Sequence, residues 1–158
     1  MTDPSCAVAH GAPVADAERT LVVVFASAVG EHLARYAPDL GYRPVLVDPA
    51  LGGALAAILV VEEPAEVVVD DHHRPELGPL LRDALATPAR WIGVMGNPRH
   101  AGPHVAALRE LGVEEGAIER VHRPIGLNIG SRTPAEIAVA TLAGLIADRN
   151  GKPGGFAF

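Results

Sequence analysis

Leu21-Val22-Val23-Val24-Phe25 is an unbroken run of large apolar residues. A strand that is apolar at every position, rather than at every second one, has both faces buried. In one sheet that requires helices on both sides, and so a parallel sheet assembled from right-handed βαβ units. The rest of the chain keeps to this alternation. Residues 30–40 read as a helix stopped by Gly41, and residues 44–47 as a second strand ending at Asp48. Residues 67–69 read as a strand, 77–86 as a helix, 91–95 as a strand and 100–111 as a helix. Residues 118–121 are the last expected strand and 134–150 the last helix. Residues 54–61 fit either element, because the Ala/Leu start favours helix and the 58–61 run favours strand. The expected fold class is α/β, a Rossmann-like doubly wound parallel sheet of about five or six strands with helices on both faces. It is expected to span residues 20–151, between a mobile tail at 1–19 and an irregular one at 152–158. There is no internal repeat.

Bulk properties narrow the function classes. At 158 residues, 49% hydrophobic and 20% charged, the chain has the composition of one globular domain. Its net charge of −6, with no dense Lys/Arg cluster, argues against nucleic acid and against an anionic membrane surface, since either needs a basic footprint. No apolar run approaches the roughly 18–20 residues of a membrane span. The first residues carry Asp3 and no basic segment ahead of an apolar core, so no secretory signal is expected and a cytoplasmic location is. The single cysteine, Cys6, excludes an internal disulfide framework and a multi-cysteine metal site; it falls in the expected tail, away from any catalytic setting. The Phe156 and Phe158 rings are candidates for docking on a neighbour or a second copy.

The stretch from Arg120 to Ile137 has the design of a ligand-binding connection. The reading RVHRPIGLNIGSRTPAEI runs from strand-like residues through a loop with two glycines into a helix start. Thr133 can cap the helix, Pro134 suits its first position, and Glu136 completes a capping box. Gly126 and Gly130 permit backbone conformations closed to other residues and allow a ligand close. The free N–H groups and positive dipole end of such a helix suit an anion. The plainer alternative is a well-capped connection with no ligand.

Other strand ends supply further candidates. In a dinucleotide fold the first turn reads G-x-G-x-x-G, for a tight turn, pyrophosphate approach and helix packing in that order. Here Phe25 and Ser27 stand at the first two positions and only the third is glycine, Gly30. Ordinary NAD(P) binding is therefore in doubt, although Ser27 and the amides near Val29 and Gly30 suit a smaller anion. Asp48, 18 residues beyond Gly30, is placed like a ribose-binding acid, or else it caps its own loop. Asp70-Asp71-His72-His73 suggests metal or acid–base chemistry, but neighbours on an extended chain point opposite ways and cannot all share one ion. His73 or Asp71 is the expected member facing a ligand crevice. In Gly96-Asn97-Pro98-Arg99-His100, Gly96 permits close approach, Asn97 can cap a helix and Arg99 can pair with an anion. Arg120, His122, Arg123 and Arg132 surround the 124–130 loop, and with Arg99 they suggest a pocket for a phosphorylated ligand.

The segment PIGLNIG followed by TPAEIA resembles the C-terminal domain of the xanthine dehydrogenase accessory protein (XdhC/CoxI) family. Residues 90–96, RWIGVMG, are similar to that family's aromatic-Ile-Gly-x-x-Gly-Ser strand and turn, and 108–112, LRELG, to the helix end that follows. Val29-Gly30, and Leu40-Gly41-Tyr42 through Val47-Asp48-Pro49, fit its first βαβ unit. The likeness spans roughly residues 20–151. It implies a carrier and chaperone that binds the molybdenum cofactor (molybdopterin), protects it during sulfuration and delivers it to molybdenum hydroxylase subunits. It also implies cofactor-binding roles for the positions that match the family, His73, Gly96, His122, Gly126, Asn128, Gly130 and Thr133 among them, with Asn97 standing where the family has Ser. The chain departs from the pattern at Arg74, where the family has Asp, and at Pro98, where it has a basic residue. The stretch between Asp48 and Val67 is too short for the strand the family places there. The family's N-terminal domain is missing, so a separately encoded accessory domain is an expected partner, alongside a homodimer. Two alternatives stay open on the residues themselves. One is a small NAD(P)-dependent oxidoreductase; the other is a non-catalytic dimeric module that has lost its nucleotide site.

Overall fold

The computed structural model describes residues 19–51 and 65–155. Its five strands are β1 (Arg19–Val24), β2 (Tyr42–Val47), β3 (Glu66–Val69), β4 (Trp91–Val94) and β5 (Val121–His122). They form one parallel sheet in the order β2-β1-β3-β4-β5. The helices are α1 (Ala28–Tyr36), α2 (Leu77–Leu85), α3 (Pro103–Glu110), α4 (Glu115–Ile118) and α5 (Pro134–Arg149). This is the Rossmann-like α/β architecture that the alternation of apolar runs predicts. Residues 54–61, Cys6 and the tail around it, and Phe156 and Phe158 lie outside the described residues, as does any strand within 52–64.

The burial of β1 follows from its sequence. Val22 and Val24 face one core, with Val67, Val69, Ile92 and Val94 beside them and Leu77, Leu80, Leu81 and Leu108 of α2 and α3 above. Leu21 and Val23 face the other, with Val68 beside them and Leu33 of α1 and Ala138, Leu142 and Leu145 of α5 against them. Each such leucine, fully withdrawn from water, contributes about 1.5–3 kcal/mol.

Two boundaries differ from expectation for identifiable reasons. The first helix ends at Tyr36 and tightens into a 3-10 turn, Ala37–Leu40, closed by Gly41 at φ 79. Pro38 has no N–H for an α-helical bond, which forces the tighter turn. Ile118 belongs to α4 rather than to the last strand: its N–H bonds Glu114 O at 3.1 Å, and its side chain is buried there. Ile118 closes α4 and Val121 opens β5, so the two buried apolar residues belong to different elements.

The strand order has a reversal. From β1 the chain moves outward to β2, then returns to place β3 on the other side of β1. Ligands of open α/β sheets bind outside the strand C-termini at such a switch point. No helix among the described residues is long and apolar enough to cross a membrane.

Candidate functional site

The turn after β1 keeps the shape of a dinucleotide turn without its glycines. Phe25 takes φ 80, a left-handed conformation that glycine normally supplies. Its N–H bonds Val47 O at 2.7 Å, its ring is 1% exposed, and the Arg74 guanidinium lies 4.6 Å above the ring centre. Ser27 then caps α1: its Oγ accepts from the Val29 and Gly30 amides, both at 3.1 Å, and donates to Asp70 Oδ2 at 2.7 Å. A Cβ on Gly30 would run into Asp70 Oδ2 and would lie 2.7 Å from Phe25 O. Gly30 is therefore needed for the approach of the protein's own carboxylate. The α1 end that holds pyrophosphate in a dinucleotide fold is filled by Ser27 and Asp70.

Asp48 braces the neighbouring turn. Its carboxylate accepts from Ala26 N at 3.1 Å and Ala50 N at 2.9 Å, and pairs with Arg74 at 3.4 Å. The Ala26 amide above all, with the Ala50 amide and the Arg74 charge, holds its pKa below the usual aspartate range against the opposing effect of burial.

After β3 the alternation of side chains decides which residues face the site. Val68 lies on the α1/α5 face, so Asp70 and His72, at the same parity, continue onto that side. Both line a cleft at the C-terminal ends of β3 and β4. His73 is exposed, and its N–H bonds Asp71 Oδ1 at 2.9 Å in a local turn. The His72 imidazole is pushed down by burial, then by His73 and Arg123, so it is neutral at pH 7. Asp70 is pushed from 3.8 to about 7, chiefly by burial, with Asp71 and Asp48 adding repulsion and the Ser27 and Gly30 bonds opposing.

A carboxyl whose pKa is raised by folding destabilises the native state as pH climbs from its unfolded to its folded pKa. Asp70→Asn is accordingly expected to stabilise the protein at pH 8, by about 2 kcal/mol after allowing for solvent screening. That advantage should shrink toward zero as pH falls to about 3, where Asp70 is mostly protonated in both states. Urea unfolding of both proteins between these limits checks it; a gap constant with pH would refute the account.

The turn after β4 contributes Gly96, Asn97, Pro98 and Arg99 to the cleft. Asn97 Oδ1 accepts from Arg99 N at 2.9 Å, holding the turn. Arg123 is its strut, donating to Asn97 O at 3.0 Å and His100 O at 2.8 Å. Helix α3 starts at Pro103 rather than near His100, because the extended Gly102 and the proline set its first turn.

The chain leaves β5 through a cis Arg123–Pro124 peptide and lays its loop on the middle of α5. Leu127 N bonds Ala140 O at 3.0 Å. Gly126 sits at φ 84, and a Cβ there would be 3.0 Å from the Ala140 carbonyl carbon; one on Gly144 would be 3.0 Å from Gly126 Cα. Gly126 thus serves contact with α5 as well as lining the cleft beside Pro124, Ile125, Leu127 and Asn128. Gly130, at φ 69, stands in open space outside the wall. The expected capping box is present: Thr133 Oγ1 accepts from Glu136 N at 3.2 Å, and Glu136 Oε2 accepts from Arg132 N at 2.7 Å and Thr133 N at 3.1 Å. This helix start, like that of α1, is occupied by an internal carboxylate.

Beyond Ser27, Gly30, Asp48, His73, Arg123, Gly130 and Thr133, placed above, three more residues named from sequence are not part of the cleft wall. His122 stacks on Trp91, 5.1 Å between centroids and 7° from parallel. Arg120 reaches Leu85 O at 3.4 Å, at the opposite end of the sheet. Arg132 is exposed. Conversely, Asp70 and His72 were not singled out as the crevice-facing pair; the two-residue period carried on from Val68 is the signal that finds them.

The cleft has a volume of about 910 Å³. Val29, Met95, Ile125 and Ile137 give it apolar walls; Asn97, Arg99, Asn128 and Ser131 supply polar groups, and Asp70 and His72 stand at the β3 end. No group of three or more His, Cys, Asp or Glu side chains among the described residues is arranged to hold a metal ion.

Residues 21–145 match the family model described as the XdhC Rossmann domain. An Escherichia coli (strain K12) protein described as uncharacterized protein YqeB is 36% identical over 89 residues, 56% of this chain and 16% of that protein. A Bacillus halodurans chain, whose crystal structure is described as that of a xanthine dehydrogenase, superposes with a TM-score of 0.65 at 20% identity. That superposition covers 85% of this chain and 45% of the other, and at such identity the likeness is one of fold. The chain thus spans less than half the length of either relative.

Proposed function

The chain belongs to the XdhC Rossmann-domain family, and on that premise we propose that it is an accessory protein for xanthine dehydrogenase-type molybdenum hydroxylases, whose cleft holds the molybdenum cofactor or a related phosphorylated ligand. One observation carries the reading. The loop most specific to the family, around residues 124–128, is a wall of the 910 Å³ cleft at the switch edge of the sheet. That volume lies within the range of small-molecule sites, roughly 300–1,000 Å³.

The donors present fit a pterin bearing a terminal phosphate. Arg99, with Asn97, Asn128 and Ser131, offers a cation and neutral hydrogen-bonding groups to the phosphate, and the apolar walls accept the faces of a flat ring. The oxygen- and electron-transfer chemistry of the cofactor belongs to the client enzyme. The work of this chain is to bind, orient and shield. The filled α1 end favours this reading over a dinucleotide oxidoreductase, since pyrophosphate in its usual pose would have to displace Asp70.

The test mixes the purified protein with cofactor released from a molybdenum enzyme and measures molybdenum and pterin that stay with it through gel filtration. Near-stoichiometric retention is expected. Arg99→Ala should weaken it about tenfold or more, the worth of one charge-assisted contact. A folded protein that retains neither molybdenum nor pterin would overturn the proposal.

A further inference from the structure

We infer that Asp70 is a specificity-determining residue of the cleft, taking the donor edge of an aminopyrimidinone ring, the amino group and adjacent ring N–H that pterins and guanine share. The inference rests on the cleft being the ligand site proposed above, and adds which end of the ligand faces α1.

The argument begins with what Asp70 lacks. Oδ2 is anchored by the Ser27 hydroxyl at 2.7 Å, while Oδ1, on a residue that lines the cleft, is buried with no hydrogen-bond partner among the described residues. An enclosed acceptor left without a donor is destabilising, and a ligand recovers that loss by supplying one. The neighbouring carboxylates are engaged elsewhere: Asp71 by the His73 amide, Asp48 by Ala26, Ala50 and Arg74. Asp70 is therefore the carboxylate the β3 end offers to a ligand. A phosphate is unsuited to that position, because Ser27 already takes the Val29 and Gly30 amides and three aspartates stand close by. The ligand anion belongs at the Arg99 side, and a donor-rich edge belongs at Asp70. Two parallel N–H groups match the fork of a carboxylate, whose oxygens each have two lone pairs. Val29, Met95 and Ile137 provide apolar surface for the ring.

The charged and titratable groups around Asp70 are Asp71 on its own segment, Asp48 at the end of β2 and the neutral His72 beside it, with the Ser27 hydroxyl and Gly30 amide from the α1 side. Burial pushes the Asp70 carboxyl up to about 7. The edge binds the ionised form, so affinity should rise about tenfold between pH 6 and pH 8.

The test is titration of the full chain with four compounds: pterin, lumazine (its analogue with oxygen in place of the amino group), GMP and IMP. Ring fluorescence or calorimetry reads binding. Pterin should bind at least about tenfold better than lumazine, the penalty for setting a carbonyl against a carboxylate, and GMP about several-fold better than IMP, which has no amino donor at that position. The tighter of pterin and GMP identifies the source of the edge. Asp70→Asn should erase the discrimination and the pH dependence, weakening pterin binding and strengthening lumazine binding, since the amide can donate to the lumazine carbonyl; comparison with this variant cancels the ligand's own titration. Ser27→Ala, which frees Oδ2, should narrow the pterin preference several-fold. Equal binding of pterin and lumazine to the unaltered protein overturns the inference, as does an Asp70→Asn variant that loses both alike. Those results leave the carrier proposal standing if cofactor is still retained on gel filtration. A folded protein that binds none of the four compounds and retains no cofactor overturns both.

Discussion

Phe25→Ala is expected to cost about 3–5 kcal/mol, and Phe25→Gly about 1 kcal/mol less than that, although glycine removes more of the side chain. The large loss follows from a ring that is 1% exposed in the core between β1 and α2. The inverted order follows from φ 80. At an ordinary buried position glycine is worse than alanine by roughly 0.5–1 kcal/mol, because its unfolded chain is freer. At a left-handed φ alanine carries strain that glycine does not, and the order turns over. For a chain of this size each kcal/mol moves Tm by about 2–4 °C, so the alanine variant should melt roughly 10 °C lower. Denaturant titrations of both variants decide the matter. Alanine more stable than glycine would mean that the backbone at this turn is unstrained. Neither variant should gain NAD(P) affinity, since Asp70 still fills the α1 end.

Gly126→Val should lower stability by about 2–4 kcal/mol and remove ligand retention with it. Two penalties coincide there. The backbone is at φ 84, and the added Cβ would press on the Ala140 carbonyl, which is part of the α5 backbone and cannot swing aside as a side chain would. Gly130→Val is the control: φ is 69, but a Cβ meets nothing within 4 Å. It should lose only the conformational part, about 1 kcal/mol. Equal losses at the two positions, by thermal unfolding, would show that the 124–128 loop is not seated on α5.

The sequence was informative where one local force dominates. The apolar run of β1, the capping box at Thr133 and the Gly41 stop each depend on a few adjacent residues, and each is present. The sequence was less informative where residues distant along the chain meet. Gly126 reads as a ligand glycine; its contact with Ala140 and Gly144 needs the packing of α5 to be known. Arg123 resembles an anion ligand, and only the position of the β4 turn reveals a strut. His73 and Asp71 read as the crevice-facing candidates, whereas strand parity places Asp70 and His72 along the cleft. Ser27 reads as a flaw in a glycine motif. It caps α1 and grips a carboxylate from 43 residues along the chain.

The two helix starts capped from within have a consequence for competition. By mass action, ligands share a site in proportion to concentration over Kd, so a site that holds any phosphate moderately well is drawn toward the most abundant phosphorylated compounds at the expense of a scarce ligand. Ser27 with Asp70 at α1, and Thr133 with Glu136 at α5, remove the two general-purpose phosphate traps this architecture would otherwise present. Nucleotides without the aminopyrimidinone edge would find little to hold, and a rare ligand that recovers its affinity from ring and edge contacts would not need to outcompete them.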